Sequence, residues 1–252
     1  MGNRKSMGSR SRTLGDRSLV VRAGLAALVL APLAAFGIGQ VRAAERAVVI
    51  PPPTLEATAS EPGSQTVVLA GGCFWGMQAV YEHTKGVTRA VSGYSGGAKE
   101  TAHYEMVGTE RTGHAESVAV TYDPKEISLG KILQIYFSVA HNPTELNFQG
   151  PDSGPSYRSA IFYADDDQKK VAAAYIAQLD GAHAFPEPIV TKLEPLKGFY
   201  PAEDYHQDFL TRHPAYPYIA INDIPKVENL QRLFPDAYRA DPVLVLAQRS
   251  TD

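Results

Sequence analysis

Between residues 65 and 235 the hydrophobic positions switch repeatedly between a period of two and a period near 3.6, the patterns of half-buried strands and amphipathic helices. Thr66 to Ala70 is a β-branched run ended by Gly71-Gly72. Cys73 to Lys85 then carries Phe74, Met77 and Tyr81 at helical spacing, with Gly86 as C-cap. Val87 to Tyr94 reads as a strand before the turn Ser95-Gly96-Gly97, and Glu116 to Tyr122 sets Val118, Val120 and Tyr122 on one face. Ser128 caps a helix striped by Ile132, Ile135, Tyr136 and Val139, which Asn142-Pro143 ends. Tyr157 to Tyr163 is a further strand, and Asp165-Asp166-Asp167 places negative charge at the start of a helix striped by Val171, Tyr175 and Leu179. Pro188 to Leu193 reads as one more strand. Alternating elements joined by connections of uneven length predict an α+β fold, a two-layer α/β sandwich with a mixed sheet, rather than a regular doubly wound one.

The flanks follow other patterns. Arg4, Lys5, Arg10, Arg12, Arg17 and Arg22 precede the apolar run Ala23 to Gly39, and Val41-Arg42-Ala43 forms a small-x-small cleavage site. This order predicts a signal peptide over residues 1–43 and export to the periplasm or another extracytoplasmic space. An uncleaved membrane anchor is the alternative, although a span needs about 20 apolar residues and Pro32 interrupts this run. No cysteine stands near the cleavage site, which excludes a lipoprotein, and a secretory segment argues against reading Met1-Gly2 with Ser6 as a myristoylation signal. Residues 44–64, rich in Pro, Ala, Ser and Thr, read as a linker. Residues 236–252 lose any clear pattern and read as a C-terminal tail.

Composition narrows the function. With 44% hydrophobic and 20% charged residues among 252, the chain is not disordered, collagen-like or a many-span membrane protein. Residues 1–43 hold 7 of the 24 Lys and Arg and 1 of the 27 Asp and Glu, leaving 17 basic against 26 acidic residues in the remainder. An acidic body argues against a nucleic-acid partner. The single cysteine, Cys73, excludes an intramolecular disulfide and a zinc site built on several thiolates.

A strand, a two-glycine turn and a cysteine at the first helical turn place the thiol among unpaired backbone N–H groups at the positive end of a helix dipole. Both are expected to lower its pKa. Phe74 and Trp75, the sole tryptophan, would wall the nucleophile. A Cys-x5-Arg phosphatase would need arginine where Ala79 stands, and a peroxidatic Thr-x-x-Cys would need threonine where Ala70 stands. A cysteine protease stays open on spacing, since seven histidines could partner the thiol. His114-Ala-Glu116 lacks zinc-helix spacing, and Gly71, Gly72 and Gly76 do not form a dinucleotide fingerprint, so neither a metal nor a nucleotide is implied.

The stretch Gly72-Cys-Phe-Trp-Gly76 resembles the active-site signature of the A-type peptide methionine sulfoxide reductases, the MsrA family. Similarity continues through Gly93-Tyr94-Ser-Gly-Gly97, Gly113-His-Ala-Glu116, Gly150-Pro-Asp152, Tyr157-Arg-Ser-Ala-Ile161 and Ala202-Glu-Asp-Tyr-His-Gln207. The resemblance implies a ferredoxin-like core and thiol-dependent reduction of peptidyl or free methionine (S)-S-oxide through a cysteine sulfenic acid. In that scheme Cys73 is the nucleophile, Glu116 the proton donor, and Tyr94 and Tyr157 the hydrogen-bond donors to the sulfoxide oxygen. Phe74 and Trp75 hold the substrate methyl, Asp152 orients the site and helps hold substrate through water, and His206 supports it. The implied partners are oxidised proteins or peptides and free methionine sulfoxide, with a thioredoxin-like or other external thiol as reductant and no cofactor. Many relatives carry resolving cysteines near the C-terminus, and this sequence has none. It also departs at Phe148, at Pro155-Ser156 and at Phe209.

Physical chemistry asks for the same parts, because a sulfoxide oxygen leaves only when protonated, and a carboxyl group in an apolar pocket keeps its proton near neutral pH. Competing readings make Glu116 an exposed carboxylate, Tyr94 and Tyr157 surface-facing tyrosines and His206 a helix cap. For the whole protein they are a peroxide-reducing thiol or a binder of oxidised methionine.

Overall fold

The computed structural model describes residues 46–56 and 63–249; the expected signal segment lies outside them. In chain order the elements are β1 (Gln65–Ala70), α1 (Phe74–Glu82), β2 (Val87–Ser95), α2 (Tyr104–Val107), β3 (Ala115–Tyr122) and α3 (Leu129–Ile135), followed by β4 (Phe148–Gln149), β5 (Asp152–Ser153), β6 (Ala160–Tyr163) and α4 (Asp166–Gly181). After these come β7 (Lys192–Pro195), β8 (Phe199–Pro201), α5 (Phe209–Arg212), α6 (Ile224–Leu233) and α7 (Val245–Arg249). Tyr136–Ala140 and Ile219–Asp223 are π-helical turns.

Six strands form one sheet in the order β7-β6-β1-β3-β2-β8, antiparallel except for the β6–β7 pair. The inner four, with α1 crossing between β1 and β2, make the split βαβ arrangement of a ferredoxin-like core. Strand alternation divides the sheet's two faces. Val67 and Leu69 of β1 and Val118, Val120 and Tyr122 of β3 join the main core with Phe74, Met77 and Val80 of α1. Val68, Ala70, Ala115 and Ala119 point into a smaller cluster on the other face. Ser128 caps α3 by accepting the Lys131 N–H at 3.1 Å, and Asp165 caps α4 by accepting that of Gln168 at 2.7 Å.

Two strands are shorter than their sequence pattern. Tyr157 lies in the 3-10 turn Pro155–Tyr157, so β6 begins at Ala160. The run from Pro188 pairs with β6 only from Lys192, because Val190 gives its N–H to the Pro143 carbonyl at 2.8 Å.

Residues 46–56 and 236–249, described parts of the expected linker and tail, are fastened to the domain. Residues 46–56 lie as a strap on the helical layer with Ile50 buried. Gln134 donates to the Ile50 carbonyl at 3.0 Å, Tyr175 to that of Pro51 at 2.7 Å, and Gln178 to that of Pro52 at 2.9 Å. At the other end Arg239 and Val243 donate to the carbonyls of His83 and Glu82, and the Asp208 carboxylate accepts the N–H groups of Val245 and Leu246, each at 2.9 Å. Polar side chains from distant elements fix these segments, so no periodic apolar signal marks them. Among the described residues no helix is long and apolar enough to cross a membrane.

Candidate active site

The turn between β1 and α1 places the thiol. Gly72 has φ +84°, and a Cβ there would meet the Gln149 side chain at 2.7 Å. Its N–H donates to the Tyr157 carbonyl at 3.2 Å, which ties the Tyr157 turn to the nucleophile. Cys73 is the N-cap residue of α1 and is buried. The next two amides serve different groups: Phe74 N–H donates to Glu116 Oε2 at 3.0 Å, and the Trp75 N–H favours the Cys73 thiolate without closing a capping hydrogen bond to it. A thiol and a carboxyl group thereby share one helix N-terminus.

Both face a cavity of about 160 Å³. Phe74, Trp75, Asp152 and Tyr157 also line it, together with Tyr104, Tyr216 and Tyr218. Trp75 is fixed from behind by Phe209, whose ring stacks on it at 3.9 Å with 9° between the planes. The departure at Phe209 therefore supplies a platform for the cavity wall. Ser156 likewise anchors its turn, donating to Glu110 through N–H at 2.8 Å and Oγ at 2.7 Å.

Two expected site residues stand outside the cavity lining. Tyr94 is fully buried and donates its hydroxyl to Glu203 Oε2 at 2.9 Å, so that hydroxyl is committed to a carboxylate rather than to a substrate oxygen. His206 lies behind the aromatic wall, accepting the Trp75 indole N–H on Nδ1 at 3.1 Å with its ring 5.0 Å from Phe74. Tyr104, at the start of α2, takes the place expected of Tyr94. It sits in a polar loop whose weak helical pattern gave no reason to select it. Tyr216 and Tyr218 flank Pro217 in His213-Pro-Ala-Tyr-Pro-Tyr218, an aromatic cluster visible in the sequence but unassigned by it.

The electrostatics correct one expectation and meet another. The Cys73 thiol is pushed well up, first by burial and then by Asp223 and Glu116, with Asp152 adding to them; the Trp75 N–H opposes this without prevailing. A helix N-terminus lowers a thiol pKa when water or cations complete its surroundings, whereas here the surroundings are apolar and anionic. Burial raises Glu116 to about 8 against the Phe74 N–H, which favours the ionised form, and Asp152 adds to the rise. Burial holds His206 low, so its imidazole is neutral, and the indole donating to Nδ1 leaves the proton on Nε2. Asp152, raised by burial, accepts the Tyr218 hydroxyl. Among the described residues no group of three or more His, Cys, Asp or Glu is placed to hold a metal ion.

The family model for peptide methionine sulfoxide reductase matches residues 65–237. The chain belongs to this family. It is 64% identical to peptide methionine sulfoxide reductase MsrA 2 of Mesorhizobium japonicum over 186 residues, 74% of this chain and 95% of that protein. To MsrA 2 of Synechocystis it is 46% identical, over 76% of this chain and 91% of that one. Among solved structures, reduced Mxr1 of Saccharomyces cerevisiae superposes with a TM-score of 0.54 at 32% identity, covering 62% of this chain and 90% of that one. Methionine sulfoxide reductase A of Corynebacterium diphtheriae gives 0.52 at 30% identity, over 68% and 88%. Both structures share the α+β architecture described above.

Proposed function

We propose a division of labour among the cavity residues for the family's reaction, the thiol-dependent reduction of methionine sulfoxide in proteins, by which this chain repairs oxidised proteins. Cys73 is the nucleophile and Glu116 the acid. Tyr104 and Tyr157 donate hydrogen bonds to the sulfoxide oxygen, Phe74 and Trp75 enclose the methyl group, and Asp152, braced by Tyr218, helps hold the substrate. The observation that carries this reading is the shared helix N-terminus, which sets a neutral thiol and a mostly protonated carboxyl group against one small cavity.

A neutral pair is what the step requires. Glu116 protonates the oxygen as the Cys73 sulfur bonds to the substrate sulfur, and the thiol proton returns to Glu116. The substrate's S–O bond and the new S–S bond then break as the hydroxyl passes to the Cys73 sulfur, which leaves a sulfenic acid and releases the sulfide. Substrate sulfur gains two electrons and cysteine sulfur loses two. Tyrosine hydroxyls, held protonated by burial, stabilise the developing charge without ionising. Two equivalents of an external thiol, protein-borne as in thioredoxin-like donors or small, then restore Cys73 and release water and a disulfide.

The substrate is the S epimer at sulfur, in proteins or peptides or as free methionine sulfoxide. Incubating separated epimers of a methionine-sulfoxide peptide with the protein and dithiothreitol tests this. The S epimer is consumed, the R epimer persists, and Cys73→Ser abolishes turnover; turnover by that variant would overturn the assignment. Residues 1–43 support work outside the cytoplasm, checked by an N-terminus at Ala44 in exported material.

A further inference from the structure

Glu203 lies outside the cavity lining yet touches three groups that set the cavity's shape. Its Oε1 accepts the Tyr104 backbone N–H at 3.0 Å, and its Oε2 accepts the Tyr94 hydroxyl at 2.9 Å. The same Oε2 stands 3.9 Å from His206 Nε2, whose other ring nitrogen holds the Trp75 indole. Tyr104 opens a four-residue helix whose N-cap, His103, makes no side-chain capping bond, so Glu203 supplies the missing acceptor and its charge suits the positive helix end. His206 Nε2 is buried with no hydrogen-bond partner, leaving the nearby carboxylate to orient its N–H.

We propose that Glu203 is the positioning residue of this site: through the Tyr104 backbone it sets one oxygen-binding hydroxyl, and through His206 it sets the indole of Trp75, so that one carboxylate couples the oxygen side of the cavity to its methyl side. Tyr94 then acts on Glu203, which gives the buried tyrosine of Gly93-Tyr94-Ser-Gly-Gly97 a task without contact with substrate. The inference rests on the proposed reaction for what is being positioned, while the placement of Trp75 can be read without turnover.

Because Trp75 is the only tryptophan, its emission reports its own surroundings. In Glu203→Ala, kcat for peptide methionine sulfoxide falls by roughly 10- to 100-fold, the scale of a catalytic group displaced by about 1 Å, and KM rises by a smaller factor. Trp75 emission moves to longer wavelength and becomes more open to acrylamide quenching. Glu203→Gln retains one acceptor but turns an amide N–H toward His206, and gives intermediate values in both readouts. Tyr94→Phe shifts both in the same direction by less, and it keeps the test available if the alanine variant does not fold.

Wild-type kcat and wild-type emission in Glu203→Gln and Tyr94→Phe would overturn the proposal. So would losses of kcat that follow lowered melting temperature while Trp75 emission stays fixed. A failure of the reaction reading is separate: it shows as no turnover in the wild type, with the emission shifts still present.

Discussion

As the proposed acid, Glu116 must hold its proton until a sulfoxide oxygen arrives, and a pKa of about 8 places the change of state just above neutrality. The acid form is present below that value and lost above it, so kcat/KM is expected to fall as pH rises through about 8. Glu116→Gln abolishes this descending limb and lowers kcat by roughly 10²- to 10⁴-fold, checked by rate profiles of both proteins. Tyr104→Phe and Tyr157→Phe each remove a donor proposed for the oxygen, and each is expected to cost kcat roughly 100-fold with little change in KM. The buried thiol itself is expected to react slowly with iodoacetamide at neutral pH and faster as pH rises, which mass spectrometry of alkylated Cys73 checks. Cys73 stands out in the sequence because a thiol after a two-glycine turn is a local feature, whereas Glu116 enters only through the family resemblance, since no local pattern shows that this strand carboxylate is buried. The resemblance named Tyr94 and left Tyr104 unread, because a motif names a residue without saying where its hydroxyl points, and Glu203 decides that direction from 109 positions along the chain.

Helix α1 carries its chemistry at one end and a packing constraint one turn later. A Cβ on Gly76 would stand 2.2 Å from Asp223 Oδ1, in the π-helical turn that leads into α6. Gly76→Ala therefore pushes these elements apart, with an expected loss of about 1–3 kcal/mol by denaturant unfolding and a shift in Cys73 alkylation rate as Asp223 moves. Period-two and period-3.6 patterns made β1, α1, β3 and the Ser128-capped α3 readable, since each buries a regular face. The π-helical turns Tyr136–Ala140 and Ile219–Asp223 were not readable, nor were the strap and the C-terminal segment. The strap and the C-terminal segment are held by individual hydrogen bonds, donated by Gln134 and Gln178 and accepted by Asp208, which leave no repeating trace in the sequence.

At the scale of the molecule, the C-terminal segment is pinned around a buried acid. Glu82, whose backbone carbonyl accepts the Val243 N–H, has its carboxyl group raised from 4.5 to about 9 by burial and by neighbouring Asp208. The native state keeps this proton where the unfolded chain releases it, so the contribution to stability is complete below about 4.5 and drains as pH climbs toward 9. Glu82→Gln is expected to flatten that decline, raising the melting temperature near about pH 9 relative to the wild type while leaving it little changed near about pH 5. The fastened segment brings no second cysteine, so every regenerating thiol must come through the opening that admits the substrate. Substrate sulfur and donor sulfur must each reach the same Cys73 sulfur, which faces one cavity of about 160 Å³. Product must depart before the donor enters, turnover alternates between two stable forms of the enzyme, and each reactant at high concentration becomes a competitive inhibitor of the other's half-reaction.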